Sequence, residues 1–267
     1  MLKTVIGRRS VAWTAVLAGT LLILPQFSVA KAWAQSDENK VAQDVKHKLD
    51  GKQFQNVQVN VDNNGIATLS GSVDLYEYKA DADRKVHKVK GVKAVDNEIQ
   101  VAGESVSDQQ LQEKILKKLA TDRVGYGTNA FNAITVSVHD GEVTLGGYAY
   151  GYPDKNSALA VVSTMPGVKD LNDEIQVNPP SPMDDEIRVR VARAIYGYPS
   201  LNKYAIDPAN PIRIQVQGGH VELYGVVDSK ADKDVAYLRA NQVPGVFSVQ
   251  NHLQVAGQPE NPEKSQK

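Results

Sequence analysis

The stretch GVKAVDNEIQV, from Gly91 to Val101, returns twice in this chain of 267 residues. It reads GVKDLNDEIQV at Gly167–Val177 and GVFSVQNHLQV at Gly245–Val255, which are offsets of 76 and then 78 residues. Each copy places a Gly-Val turn before alternating apolar residues, a pattern typical of a turn that leads into a short β-strand. Three copies of one strand at a near-constant interval indicate three repeats of one small folding unit.

Nine glycines support the repeat, because they keep one spacing in all three copies. In each unit the first glycine stands six residues before the second, and the second stands twenty residues before the third. The nine are Gly65, Gly71 and Gly91, then Gly141, Gly147 and Gly167, then Gly219, Gly225 and Gly245. Glycine adopts the positive φ angles of tight turns, so these positions are predicted to be structural glycines.

The residues around these glycines predict the same elements in every unit. An opening amphipathic helix carries apolar residues four apart, such as Leu111, Ile115 and Leu119. Two alternating strands then flank a glycine turn and form an antiparallel hairpin. A second helix leads to the quoted strand, which returns by a right-handed crossover and pairs in parallel. The predicted fold class is therefore α/β, and more narrowly α+β. The chain is predicted to form three tandem αββαβ units, each a three-stranded mixed sheet with two helices on one face.

Short linkers set the boundaries of these units. The predicted domains are residues 36–103 (unit 1), 107–178 (unit 2) and 183–257 (unit 3). The linker Asn178–Pro182 holds three prolines, which favour extended backbone. The tail 258–267 has no apolar periodicity and is predicted to be disordered.

The first 34 residues have the pattern of a secretory signal peptide. Basic residues precede the uncharged apolar run Val11–Leu24, and the small residues Ala32 and Ala34 predict cleavage after Ala34. That run is short for a bilayer span, which needs about 20 residues, although a retained anchor is the alternative. Arg8-Arg9 matches a twin-arginine signal loosely, so the export route stays open. We expect a periplasmic protein.

Composition excludes some classes of function. The formal net charge is −1, and cleavage would remove four positive charges and no negative one, which leaves about −5. This charge argues against nucleic acid as a partner. The chain has no cysteine, so an exported form would hold its fold without disulfides and could not be a lipoprotein.

The hairpin pattern G-x-V-x-L-x-G, at Gly141–Gly147 and Gly219–Gly225, resembles the BON domain, named for bacterial OsmY and nodulation proteins. The closing pattern GV-x-x-V/L-x-N/D supports this, and the resemblance spans nearly all of the chain after residue 34, although Ile66 replaces the hairpin valine in unit 1. The resemblance implies a non-enzymatic envelope module linked to osmotic stress and envelope integrity, and contact with anionic phospholipid in some members. It brings no ligand-binding residues with it, since the motif residues are structural.

Basic clusters on helix faces are the first candidates for binding. A basic helix face attracts anionic lipid headgroups by about 1 kcal/mol per Lys or Arg near the surface. The lipid-binding candidates are Lys114, Lys117 and Lys118 on the opening helix of unit 2, and Arg188, Arg190 and Arg193 on that of unit 3. A solvated face diluted by nearby acids is the alternative interpretation.

Tyrosine-rich loops are the second candidates. The interaction-loop residues are Tyr148, Tyr150 and Tyr152 in unit 2, and Tyr196 and Tyr198 in unit 3. Tyrosine combines an apolar ring with a polar tip, which suits membrane interfaces and protein hot spots. It also suits packing between neighbouring repeats, and the sequence leaves both uses open.

No pattern in the sequence predicts catalysis, a metal site or a cofactor. The five histidines lack metal-ligand spacing, and the S-x-x-K match at Ser200–Lys203 has no accompanying SDN or KTG motif. We expect a non-enzymatic protein that binds anionic phospholipid at or near the envelope membrane and supports envelope integrity under osmotic or envelope stress. The alternative is a soluble periplasmic adaptor or chaperone-like module that binds proteins or cell-wall material through its tyrosine loops. The oligomeric state is left open.

Overall fold

The computed structural model describes residues 39–122, 129–207 and 210–257. The predicted signal peptide and the predicted disordered tail lie outside these described residues. Unit 1 begins with helix α1, of which residues 39–48 are described. Its other elements are a 3-10 turn (Lys52–Phe54), β1 (Val57–Val61), β2 (Ile66–Val73), α2 (Tyr76–Val86), β3 (Ala94–Asn97) and β4 (Gln100–Val101).

Units 2 and 3 repeat this order. Unit 2 contains α3 (Asp108–Asp122), a 3-10 turn (Asn129–Phe131), β5 (Ala133–His139), β6 (Glu142–Ala149), α4 (Tyr152–Ser163), β7 (Asp170–Asp173) and β8 (Gln176–Val177). Unit 3 contains α5 (Pro182–Tyr196), a short α6 (Lys203–Ile206), β9 (Arg213–Gln217), β10 (His220–Tyr224), β11 (Val226–Val227), α7 (Lys230–Asn241), β12 (Ser248–Asn251) and β13 (Gln254–Val255). The additional α6 lies in the longer loop between opening helix and hairpin.

The second hairpin strand is the middle strand of each sheet. In unit 1, β2 pairs antiparallel with β1 and parallel with β3 and β4. In unit 2 the strand order is β5-β6-β7, and β8 also pairs with β6. In unit 3 the order is β12-β10-β9, and the short strand β11, which follows β10, pairs with β13. The predicted αββαβ unit with one antiparallel and one parallel pairing is therefore confirmed, three times.

The closing strand differs from the prediction, because it is two short strands separated by a break. At the break in unit 1, the Asn97 Oδ1 accepts a hydrogen bond from the Ile99 backbone N–H at 3.3 Å, while its Nδ2 donates to the Lys79 carbonyl at 3.0 Å. Asn251 makes the same two bonds in unit 3, and Asp173 accepts from the Ile175 N–H in unit 2. The N/D of the closing motif therefore satisfies backbone groups that a broken ladder leaves open.

Each unit has its own apolar core. In unit 2 the buried side chains come from both helices and from the middle strand, for example Ile115 of α3, Val162 of α4 and Leu145 of β6, all fully buried. Units 1 and 3 each have a separate cluster, formed by side chains from the corresponding elements. Both helices of a unit thus cover one face of its sheet, as predicted.

A carboxylate ties each of two opening helices to its hairpin. Asp184, in the first turn of α5, accepts hydrogen bonds from the backbone N–H groups of Gly218 and Gly219 at 3.0 and 2.9 Å. Asp108 in α3 makes the equivalent bonds to Asp140 and Gly141 at 2.8 and 2.9 Å. Burial would raise the pKa of Asp184, but the bonds from Gly218 and Gly219 outweigh it and leave that pKa below its ordinary value.

We expect Asp184→Asn to lower the free energy of unfolding by about 2 kcal/mol at neutral pH, since one charge-assisted bond becomes neutral and the other backbone N–H is left facing the amide NH2, which cannot accept it. A lowered folded-state pKa gives stability that is present above the unfolded-state pKa of about 4 and is lost as pH falls through the folded pKa. The difference between wild type and Asp184→Asn, measured by urea unfolding, should therefore shrink in acid. The exposed Asp96→Asn is the control, and a difference that stays constant with pH would contradict the role of the charge.

Candidate binding surfaces

The lysine face of α3 is exposed as a whole. Lys114, Lys117 and Lys118 are all exposed, and Leu116 between them is 44% exposed. Glu113, the adjacent acid, accepts a hydrogen bond from Gln109 at 3.2 Å. Within the described ranges, neither Lys114 nor Lys117 forms an ion pair within 4.0 Å. These three lysines, at i, i+3 and i+4, therefore form one positively charged face, the lysine face. Leu116 lies on the other side of the helix, where it lines a cavity with Arg213 of unit 3.

The arginines of α5 do not form one surface. Arg188 is 4% exposed, its Nη1 is ion-paired with Asp185, and its Nη2 donates to the Val216 carbonyl at 2.6 Å. It is therefore a structural residue that no membrane surface can reach, and its place among the lipid-binding candidates was wrong. Arg190 is partly exposed and paired with Glu186 at 2.7 Å, so only Arg193 of the three is exposed and lacks an ion pair among the described residues.

Arg188 belongs to the junction of units 2 and 3. Its guanidinium carbon lies 5.3 Å from the ring centroid of Tyr150, which is within the range of a cation–π contact. Tyr150 in turn lies 5.7 Å, centroid to centroid, from Phe131, and Phe131 packs against the core of unit 3. Burial, and then the Asp185 carboxylate, raise the pKa of the Tyr150 hydroxyl. One tyrosine of the predicted loops thus joins the two units.

The other four loop tyrosines divide between packing and solvent. Tyr196 donates its hydroxyl proton to the Ile212 carbonyl at 2.5 Å and packs against the core of unit 3, where burial raises its pKa. Tyr148 is half-buried. Tyr152 is 69% exposed, and Tyr198 is 39% exposed with its ring 5.6 Å from the Arg239 guanidinium carbon. The loops therefore serve packing between and within units, with two tyrosines left at the surface.

Units 1 and 2 meet along α2. The Tyr76 side chain packs against the core of unit 2 and donates to the Leu171 carbonyl at 3.5 Å, while Lys79 lies 3.8 Å from Asp170. A cavity of about 410 Å³ runs beside this contact, with Leu159 and Leu171 among its lining residues. The second helix of unit 1 is therefore a packing element as well as the cover of its own sheet.

Titratable groups do not assemble into a reaction centre among the described residues. All five histidines are exposed, as the sequence indicated. Lys203 of the S-x-x-K match lies 2.5 Å from Asp228 and 3.1 Å from Asp232, and these carboxylates raise its pKa, so it stays protonated and cannot act as a base. Asp108, His139 and Asp140 lie close enough together to hold a cation, but both Asp108 oxygens already accept backbone N–H groups.

The chain belongs to the BON domain family. The family model matches residues 37–103, 107–179 and 184–257, which together cover most of the chain. BON domains are generally non-enzymatic modules of the bacterial envelope that bind membranes or proteins. Among the described residues, no helix combines the length and the apolar character that a bilayer span requires.

Comparison with solved structures gives remote similarities. The chain is 16% identical to CdsD, a structural protein of the type III secretion system of Chlamydia trachomatis, over 84% of this chain and 95% of that chain, with a TM-score of 0.24. It is 12% identical to the periplasmic domain of PrgH from S. typhimurium, over 77% and 95% of the two chains, with a TM-score of 0.19. No curated protein sequence matches the chain.

Proposed function

We propose that this protein is exported to the periplasm, where its BON units bind anionic phospholipid at the envelope membrane and support envelope integrity under osmotic or envelope stress. It acts by binding and catalyses no reaction. The observation that carries the proposal is the lysine face of α3, where Lys114 and Lys117 are exposed and not ion-paired among the described residues.

Local charge has to carry such binding, because the net charge of the chain is slightly negative. Two unpaired lysines on one turn of a helix attract anionic headgroups by about 2 kcal/mol in total. The other basic clusters offer less. In unit 1, Arg84 and Lys85 of α2 are both within 3.4 Å of Asp81. In the α5 cluster, Arg188 is buried at the junction of units 2 and 3 and is not available to lipid.

We expect Lys114→Gln with Lys117→Gln to weaken binding to phosphatidylglycerol-containing vesicles by about 30-fold at low salt, which corresponds to the loss of about 2 kcal/mol. Vesicle flotation over a range of lipid concentrations measures this affinity.

Lys46→Gln with Lys48→Gln is the matched control, because it removes the same charge from exposed positions on the opening helix of unit 1. This variant should bind vesicles as the wild type does. Equal weakening by the two double variants would point to overall charge and contradict a defined face. Equal binding of the wild type to phosphatidylcholine vesicles would remove the anionic-lipid function altogether.

The second candidate function is that of a periplasmic adaptor or chaperone-like module that binds proteins or cell-wall material. Tyr152 and Tyr198 favour it, because they are exposed, whereas Tyr150 and Tyr196 pack within the protein. Exposed aromatic side chains are frequent anchors of protein interfaces. Failure of the wild type to float with anionic vesicles would favour this function over the first.

A further inference from the structure

Arg213 is a half-buried cation at the junction of units 2 and 3. It lies at the start of β9, opposite Tyr224 of β10, on the sheet face away from the helices of unit 3. Among the described residues no carboxylate lies within 4.0 Å of its guanidinium, and burial lowers its pKa with only Tyr196 acting against that effect. A charge removed from water normally has a counter-charge, and among the described residues none lies within ion-pair distance of Arg213.

A second polar group on the same side of β9 is also unsatisfied. Gln215 follows Arg213 by two residues, so both side chains lie on one face of the strand. Gln215 is 4% exposed, and its Oε1 has no hydrogen-bond partner. Buried polar atoms without partners are rare and need an explanation. Among the described residues, the Arg213 cation on this face of β9 thus has no carboxylate within 4.0 Å, whereas the Gln215 oxygen is an acceptor that needs a donor and takes no part in holding an anion.

Arg213 lines a cavity of about 200 Å³ between the two units. That is the liquid volume of about seven water molecules, enough for a small polyatomic ion. Thr135 of β5 closes it from unit 2, and Tyr224 and His252 close it from unit 3, with their rings stacked at 4.9 Å. His252 is exposed and Val226 is 41% exposed, so the cavity can be reached from solvent.

We infer that this crevice binds a small oxyanion, a phosphate or a carboxylate, held by the guanidinium of Arg213. Arginine presents its N–H groups in a planar fork that matches two oxygens of such an anion. Thr135 and His252 line the same cavity and offer further donors. The site is separate from Lys114 and Lys117, which point away from the crevice, although Leu116 of the same helix lines a neighbouring cavity with Arg213.

Titration of the whole chain with inorganic phosphate, at constant ionic strength set with chloride, tests this inference. Calorimetry should show saturable binding to the wild type, and Arg213→Met should weaken it by about 10- to 100-fold, the equivalent of charge-assisted hydrogen bonds to one guanidinium. Lys230→Met removes an equal charge from an exposed site on the same unit and should leave the affinity unchanged. Equal weakening by both variants, or no saturable binding to the wild type, overturns the proposal.

Two further arms keep the test decisive. If Arg213→Met does not fold, NMR of the wild type should show saturable phosphate-dependent shifts at the Arg213 side-chain N–H and the His252 ring, and their absence overturns the site. Acetate and glycerol 3-phosphate are titrated in parallel. A preference for acetate identifies a carboxylate ligand such as a peptide terminus, and a preference for glycerol 3-phosphate identifies a phosphate-bearing headgroup.

Discussion

Replacing Gly147 with alanine is expected to lower the free energy of unfolding of unit 2 by about 3 kcal/mol or more. Gly147 lies in β6 at φ +75°, and an added Cβ would stand 2.1 Å from the Ala133 carbonyl oxygen of the neighbouring strand. That oxygen is part of the backbone and cannot rotate away, so the β5–β6 ladder would have to open. Hydrogen exchange followed by mass spectrometry resolves the units and measures this loss.

Gly218→Ala is the matched control, because it separates backbone conformation from contact. Gly218 has φ +57°, but nothing lies within 4 Å of its added Cβ. Its substitution should lower the free energy of unfolding by only about 1 kcal/mol, which is the cost of placing an alanine in the left-handed conformation. Similar losses for the two variants would show that φ alone explains the requirement for glycine, and would contradict the role of the close carbonyl.

The contrast shows how far local pattern predicts this fold. All nine repeated glycines have positive φ, between 75° and 128°. Their spacing located six of them in turns, whereas Gly71, Gly147 and Gly225 lie within or between paired strands. The reason at Gly147 and Gly71 was not visible, because it is a carbonyl oxygen of another strand, at 2.1 and 2.0 Å from the added Cβ. The break in the closing strand was missed for the same reason, although its Asn or Asp was part of the motif.

The candidate surfaces were harder to predict, because burial between repeats is a long-range property. Arg188 and Arg190 are two residues apart on one helix, and spacing could not tell which of them faces unit 2. Asp184 and Asp108, in contrast, could have been found from the repeat alone. Each stands three residues before the first buried apolar residue of its helix, Ile187 or Leu111, so the sequence already indicated one shared role in both units. Repeats reveal functions shared by the copies, and Arg188 has a function that arises only where two copies meet.

The second large effect is expected at that junction. Arg188→Met should lower the free energy of unfolding of unit 3 by about 3 kcal/mol, since it removes the hydrogen bond to the Val216 carbonyl, the ion pair with Asp185 and the contact with the Tyr150 ring. Asp185 would lose its cationic partner. Protection from hydrogen exchange should fall most in β9 and at Tyr150, on both sides of the junction.

Arg190→Met is the control, because it removes the same charge two residues away, from a partly exposed pair with Glu186. Exposed pairs contribute about 0–1 kcal/mol, so this variant should be nearly as stable as the wild type. Vesicle flotation of both variants, at a temperature where both are folded, separates stability from lipid contact. Because Arg188 is enclosed by two units, its loss should change vesicle affinity no more than the loss of Arg190 does. A selective loss of vesicle binding in Arg188→Met, with its stability intact, would mean that the junction opens on the membrane and that the arginine reaches lipid after all.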